Sequence, residues 1–192
     1  MSPNYQSQDV WSRATSVNGY AFDELRSVLQ KSIRRGQLEE AVLAAYEFFS
    51  SGSEAEEVLW RRLEIIATED VGFGLIEAPA ILHALNEQRL RMVDPGDRWM
   101  YSVHAVRLLA TAKKDSTTME LACWAQFSVA RGERKVDVQD YQIDMHTRQG
   151  VAKGRDIVHW WTQGAKLENK LSDAATPWRK YLDELYMERK DS

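Results

Sequence analysis

The sequence predicts an all-α protein, a bundle of helical hairpins with a less regular C-terminal extension. Through residues 21–131, apolar residues recur three and four positions apart, which is the spacing of one helix face. Glycine, serine or proline marks the short connections between these periodic stretches, as in helical hairpins. The region has no convincing run of alternating β-branched residues, so no sheet is predicted.

The first three helices are each bounded by a recognisable sequence signal. The stretch FDELRSVLQKSIRRG places apolar residues on one stripe and stops at Gly36. QLEEAVLAAYEFFSSG repeats the pattern and stops at Gly52. Ser53 and Glu56 have the spacing of a capping box, which predicts that they open the third helix together.

Three further helices complete the predicted bundle. Asp97 is the expected N-cap of the second of them, after a Pro-Gly turn. Cys123, beside Trp124 on an apolar stretch, is predicted to be a core residue of the last one. The three helices are expected in the stretches EAPAILHALNEQRL, DPGDRWMYSVHAVRLLATAKK and KDSTTMELACWAQFSVARGE.

The sequence becomes polar and irregular from Glu133 onwards. A helix is predicted to resume across residues 149–168, and Pro177 is placed to begin a short amphipathic C-terminal helix. The predicted organisation is a polar N-terminal tail over residues 1–18, a helical domain over 19–132, and an irregular segment with C-terminal helices packed on it over 133–192.

Composition narrows the classes of function. A net charge of −4 and an isoelectric point near 5.6 argue against a surface built throughout to coat nucleic acid. The single cysteine excludes an internal disulfide and a cysteine-based zinc cluster, and it fits a cytoplasmic protein. No apolar run approaches the roughly 18–20 residues of a membrane span, and the N-terminus has no secretory signal, so we expect no membrane partner.

The stretch LWRRLEIIATEDVGFG combines an apolar helix with arginines, acids and glycines. Paired carboxylates can do acid–base chemistry, but acids near arginines at a helix junction more often form structural ion pairs. We therefore predict a buried polar lock that fixes how two helix pairs meet. Its predicted members are Arg61, Arg62, Glu69 and Asp70.

Four segments of this chain resemble one protein family in order and spacing, across about residues 25–125. They are similar to the C-terminal region of the MgsA/RarA family of replication-associated recombination proteins, AAA+ ATPases related to clamp loaders. The matching segments are Gln30-Lys31-Ser32-Ile33-Arg34, Arg61-Arg62-Leu63, Ala67-Thr68-Glu69-Asp70-Val71-Gly72 and VRLLATAKKDSTT.

The resemblance implies an all-α region, similar to a clamp-loader collar, that helps to assemble subunits into a tetramer. It also implies a role in DNA replication or repair, with a replication ATPase or DNA as a partner. The family's ATPase part has no counterpart here, because the sequence lacks the Gly-x-x-x-x-Gly-Lys-(Ser/Thr) loop that cradles phosphates. After about residue 135 the chain departs from the family.

A nucleic-acid or nucleotide binder is the alternative function. Arg148, Lys153 and Arg155 lie among glycines near a predicted helix start, where backbone N–H groups favour a phosphate. Trp160 is placed to stack on a base. The alternative, structural interpretation is that the neighbouring tryptophans pack in the core or at an interface.

A small metal-dependent enzyme is the second alternative. Asp144 and His146 share a face of an extended chain and, with His159, form a set suited to zinc, manganese or iron. They are equally suited to stabilising a turn. The sequence shows no nucleophilic triad, so no catalytic residue and no cofactor are predicted. The leading prediction is a non-enzymatic helical module that forms homo-oligomers.

Overall fold

The computed structural model describes residues 10–188, and these form an all-α structure without a named β-strand, as predicted. The chain separates into two compact units, Met1–Arg131 and Gly132–Ser192. Within residues 10–188, no helix has the length and apolar character needed to cross a membrane.

The first unit contains the helices that the apolar periodicity predicts. Turns with glycine in left-handed backbone follow the first helix at Gly36, with φ of 70°, and the second helix at Gly52, with φ of 104°. The helices are α1 (Phe22–Arg34), α2 (Leu38–Ser50), α3 (Ser53–Ile66), α4 (Ala78–Arg89), α5 (Pro95–Thr111) and α6 (Thr117–Ala130).

The core of this unit lies where α1, α2, α3 and α5 meet. Each of these helices presents its apolar stripe inwards, so burial of that stripe rather than helix propensity supplies most of the stability. Phe48, Trp60 and Leu63 are among the fully buried side chains. Rings also contact one another, since Phe22 and Phe48 lie with centroids 5.1 Å apart.

Part of the predicted N-terminal tail is packed against the bundle. Residues 1–9 of that tail lie outside the described residues, whereas Val10–Arg13 form a short 3₁₀ turn. The Trp11 ring meets the Phe22 ring edge-on at 5.4 Å. The Ser16 hydroxyl donates to Glu47 at 2.7 Å, which ties the segment to α2.

The predicted capping box at the start of α3 is wrong. Gly52 occupies the N-cap, and no side chain caps the helix. Glu56 instead turns inwards, where it is 2% exposed and pairs with Arg89 and Arg98, each at 3.1 Å. The spacing of Ser53 and Glu56 is local, whereas the two arginines belong to α4 and α5, so a local pattern did not identify the partners.

The N-cap of α5 is Asp94, and the prediction of Asp97 is wrong. The Asp94 carboxylate accepts from the backbone N–H groups of Gly96 at 2.7 Å and Asp97 at 3.2 Å. Pro95 occupies the first helical position, where its missing N–H costs no hydrogen bond. The helix therefore begins before the Pro-Gly pair rather than after it.

Helix α6 is apolar, yet it is largely uncovered. Of its residues, Ser128 alone is buried, while Leu121, Trp124 and Phe127 are each more than half exposed. Cys123 is half-buried, so the prediction that it belongs to the core is wrong. Apolar periodicity identified the helix but could not show whether the same chain covers it.

The second unit is less regular than the first. The prediction of one continuous helix across residues 149–168 is wrong, because a turn with Gly154 at φ of 70° divides this segment into two pieces. A π-helical turn, Trp160–Gly164, continues the second of the two pieces. The helices are α7 (Arg148–Ala152), α8 (Ile157–His159) and α9 (Pro177–Glu188), and Pro177 begins the last one as predicted.

The buried Glu56 carboxylate predicts a difference between two neighbouring glutamates. Glu56→Gln leaves Arg89 with a buried charge that has lost a partner, and we expect the free energy of unfolding to fall by about 3 kcal/mol. Glu57→Gln removes a half-exposed partner of the same arginine and should cost no more than about 1 kcal/mol. Urea denaturation of both variants measures this, and equal losses would contradict the burial argument.

Candidate functional site

The turn after α3 brings acidic side chains to the interior of the first unit. Ala67–Val71 form a π-helical turn, and Gly72–Leu75 follow as a 3₁₀ turn. A π-helical turn is wider than an α-helical turn, and such turns are frequent at functional sites. Asp70 lies within it at 3% exposure, directed towards α1.

The Asp70 carboxylate is held by two side chains of α1. Arg34 Nε lies 2.5 Å from Asp70 Oδ1, and Gln30 Nε2 donates to Oδ2 at 2.9 Å. Glu69 lies at the edge, 3.5 Å from an Arg34 nitrogen. The hydrogen bond from Arg34 to Asp70 raises the pKa of Arg34 further above its usual value. Asp70, Arg34 and Gln30 are called the Asp70 cluster below.

The structure therefore brings together the two predicted acids of the polar lock, but with an arginine the prediction omitted. Arg62 donates to the Gln30 side chain of the cluster at 3.4 Å. Arg61 is exposed and pairs with neither acid in the described part of the chain. The signal that would have found Arg34 is its position four residues after Gln30, which places both on one face of α1.

Two glycines allow the segment that joins α5 to α6 to approach the turn. A Cβ on Gly74 would lie 2.2 Å from the Lys113 carbonyl oxygen, and one on Gly72 would lie 2.8 Å from that of Asp115. The Asp115 N–H donates to the Asp70 carbonyl at 2.9 Å. In return, the Phe73 N–H donates to the Asp115 carboxylate at 3.0 Å. The start of α6 is thereby fastened to the residues around Asp70.

Two titratable groups in this segment have shifted pKa values. Hydrogen bonds from the side chain and backbone of Thr117, and from the Phe73 N–H, hold the pKa of Asp115 below its usual value. Burial lowers the pKa of Lys114, opposed by the charge of Asp70. The Lys114 ammonium donates to the carbonyl of Ala110 at 3.0 Å, at the end of α5. Lys114 and Asp115 thus stabilise the end of α5, the start of α6 and the loop between them, which is a structural role.

In the second unit, the predicted phosphate-binding residues do not form one exposed group. The Arg155 side chain is 13% exposed and donates to the Asp140 carboxylate at 2.5 Å, and also to the Ile143 carbonyl. This contact, with Lys153 at 3.5 Å, holds the pKa of Asp140 below its usual value. Arg155 thus fastens the loop before α7.

The remaining two members of that predicted group lie in different surroundings. Arg148 is exposed at the first position of α7. Trp160 is half-buried, and its ring lies 5.8 Å from the His146 ring and 5.9 Å from the Trp161 ring. A ring flanked in this way serves packing within the unit.

Two of the three predicted metal ligands, Asp144 and His146, organise a turn. The Asp144 carboxylate accepts from the His146 backbone at 2.9 Å and lies 3.2 Å from its ring Nδ1. The backbone hydrogen bond is the main reason that the pKa of Asp144 lies below its usual value, and His159 adds a smaller electrostatic effect. Across residues 10–188, no three histidine, cysteine or acidic side chains are grouped so that they could hold a metal ion.

An exposed apolar surface lies at the start of α6 on the first unit. Phe73 is 73% exposed and lies beside Leu121 and Trp124 of α6, which are 63% and 56% exposed. Phe127 follows three positions after Trp124 on the same face of α6 and is 55% exposed. Phe73, Leu121, Trp124 and Phe127 are called the α6 patch below.

Comparison of the sequence with protein-family models gives no match, and comparison with curated proteins gives none. The geometry of the Asp70 cluster and of the α6 patch therefore carries the functional argument.

The Asp70 cluster predicts unequal effects for two adjacent acids. Asp70→Ala deprives Gln30 and Arg34 of a buried acceptor, and we expect a loss of about 2 kcal/mol in the free energy of unfolding. Glu69→Ala removes a partly exposed, longer contact and should cost less than about 1 kcal/mol. Chemical denaturation followed by circular dichroism measures both variants. A larger loss for Glu69→Ala would contradict the assignment.

The lowered pKa of Asp115 predicts a pH dependence of stability. The unfolded chain takes up a proton near pH 4, whereas the folded protein keeps this carboxylate ionised to lower pH. Its stabilising contribution is therefore complete above about pH 5 and is lost as the pH falls below about 4, through the lower pKa of the folded state. Denaturation of wild type and Asp115→Asn at pH 3, 4, 5 and 7 measures this. We expect a shallower pH dependence for the variant, and parallel curves would contradict it.

Proposed function

We propose that this chain is a non-enzymatic helical assembly module that associates with copies of itself through the α6 patch. The observation that carries the proposal is the conflict between the composition of α6 and its exposure. A helix that is apolar on all sides is normally covered by protein or membrane. In α6, large apolar side chains lie open to solvent.

The size of the α6 patch fits a protein interface. Aromatic side chains present about 150–250 Å² each when fully exposed, so these four residues leave on the order of 500 Å² of apolar surface open. That area is near the upper end of what monomeric proteins expose, about 300–600 Å². It also supplies more than half of the roughly 800 Å² that each partner contributes to a standard interface.

The charge of α6 favours a second copy as the partner. Glu120 is the one charged residue between Thr117 and Ala130, and it accepts a hydrogen bond from Ser116 at 2.5 Å. A two-fold contact places the same surface on both sides, so a charged patch would oppose itself. A nearly neutral, aromatic face has no such repulsion and is typical of interface centres.

The polar residues that first suggested chemistry already have structural partners. Asp70 binds α1, Asp144 organises a turn and Arg155 fastens a loop. A structural role is therefore the simpler account of these residues. It agrees with the role that the MgsA/RarA resemblance implies, a collar-like assembly region that forms tetramers.

The resemblance supplies the wider setting of the proposal. It implies a role in DNA replication or repair, with a replication ATPase or DNA as a further partner. The single cysteine fits a location in the cytoplasm. The α6 patch is the surface through which such an assembly would form. A pull-down from cell extract identifies any ATPase partner independently of self-association.

Two leucines with equal exposure provide a matched test of self-association. Leu121 in the α6 patch and Leu43 on α2 are both 63% exposed. Wild type should elute as an oligomer at micromolar concentration in size-exclusion chromatography with light scattering. Leu121→Arg introduces like charges across the contact and should give a monomer, whereas Leu43→Arg should keep the wild-type mass.

Either of two results would reject the proposed interface. One is a strictly monomeric wild type at all concentrations measured. The other is equal dissociation by Leu43→Arg and Leu121→Arg, because the effect would then not be specific to α6. Circular dichroism spectra of both variants confirm that the helices remain folded.

A further inference from the structure

The one charged side chain of helix α6 lies within its apolar surface. Glu120 is exposed and lines a cavity of about 440 Å³ together with Phe73, Leu121 and Trp124. Glu120, Trp124 and Phe127 follow one another at intervals of four and three residues, so they form one stripe along α6. A contact made through this stripe therefore includes a carboxylate among its aromatic rings.

The Glu120 carboxylate depends on water for most of its hydrogen bonds. In the part of the chain that the structure describes, its side chain accepts one hydrogen bond, from the Ser116 hydroxyl at 2.5 Å. An ionised carboxylate has about four acceptor positions on its two oxygens. A second protein surface that closes over the α6 patch removes water from these positions, and Ser116 satisfies one of them.

The other charged groups around the start of α6 do not line this cavity. They belong to the segment before α6 and to the π-helical turn packed against it, and they are Lys113, Lys114, Asp115, Glu69 and Asp70. Lys114 and Asp115 bond to backbone groups. Both acids of the turn contact Arg34. Of the described lining residues, Glu120 is thus the one that can gain or lose a proton.

Loss of water affects the two protonation states of Glu120 unequally. Removing a carboxylate from water strongly disfavours its charged form, whereas the neutral acid loses much less. In the separate chains Glu120 is exposed, so the charged form has no such penalty there. Association that covers Glu120 therefore favours proton uptake, and by linkage protonation favours association.

We propose that Glu120 sets the strength of self-association through the α6 patch, which is weaker while this side chain is ionised and stronger once it is neutral. The inference rests on the proposed function, because it requires a contact at the α6 patch. It adds the residue that limits this contact and the condition, acidity, that regulates it.

Sedimentation equilibrium of the whole chain at pH 7 and pH 5 tests the proposal. The dissociation constant of wild type should fall by about tenfold or more from pH 7 to pH 5, because each copy brings one desolvated carboxylate to the contact. Glu120→Gln keeps the size of the side chain and removes its charge. At pH 7 this variant should associate about tenfold or more tightly than wild type.

Two controls separate Glu120 from general effects of acid. The chain passes its isoelectric point near 5.6 in this range, and a low net charge favours association of any surface. Glu120→Gln retains that general effect, so the difference between its pH dependence and that of wild type belongs to Glu120. Glu87→Gln makes the same change at an exposed glutamate of α4 that does not line the cavity. It should keep the wild-type dissociation constants.

A second neutral variant guards against a loss of structure. Glu120→Ala places a strong helix former at this exposed position and should tighten association as Glu120→Gln does. Circular dichroism spectra at both pH values check that the helices of each variant are folded.

The possible outcomes distinguish this inference from the proposed function. A wild type that is monomeric at both pH values rejects the α6 interface, and this inference with it. An oligomeric wild type with the same pH dependence as Glu120→Gln rejects this inference alone. Weaker association of Glu120→Gln at pH 7 would also overturn it, because Glu120 would then bind a cation of the second copy.

Discussion

The hydrogen bonds of Asp70 join three parts of the helical bundle, and the position of α6 depends on them. Its carboxylate binds Arg34 and Gln30 of α1, while its carbonyl accepts from the Asp115 N–H. Asp115 lies two residues before α6 begins. The surface proposed for assembly is therefore tied through the Asp70 carbonyl to a turn whose carboxylate is held by α1.

Burial of the Asp70 carboxylate has an unfavourable desolvation free energy, so this contact adds little net stability. Removing the Asp70 charge from water costs several kcal/mol, and its two donors roughly offset that cost. Apolar residues of equal volume can stabilise such a turn as well. Arg34 and Gln30 can both donate to the Asp70 carboxylate only when the turn lies in one position. We therefore infer that the Asp70 cluster fixes geometry more than it adds stability. Glu56, between Arg89 and Arg98, does the same for α3, α4 and α5.

The sequence was sufficient for the all-α class and for the six helices of the first unit, because apolar spacing and glycine stops are local signals. It was insufficient wherever a partner lay far along the chain. Glu56 was assigned to a local cap, although its partners are on α4 and α5. Both acids predicted for the polar lock contact Arg34, a residue that the prediction omits, and the described ion pairs of these acids do not include Arg61. The exposure of α6 could not be predicted from the sequence either, because apolar periodicity identifies a helix without showing what covers it.

A double-mutant cycle between Arg34 and Asp70 tests the central claim most directly. The free energy of unfolding is measured for wild type, Arg34→Gln, Asp70→Asn and the double variant. If the two side chains hold α1 to the turn, the single losses are not additive, and the coupling energy is about 1–2 kcal/mol. Additive losses, with a coupling energy near zero, would contradict the claim that this contact organises the bundle.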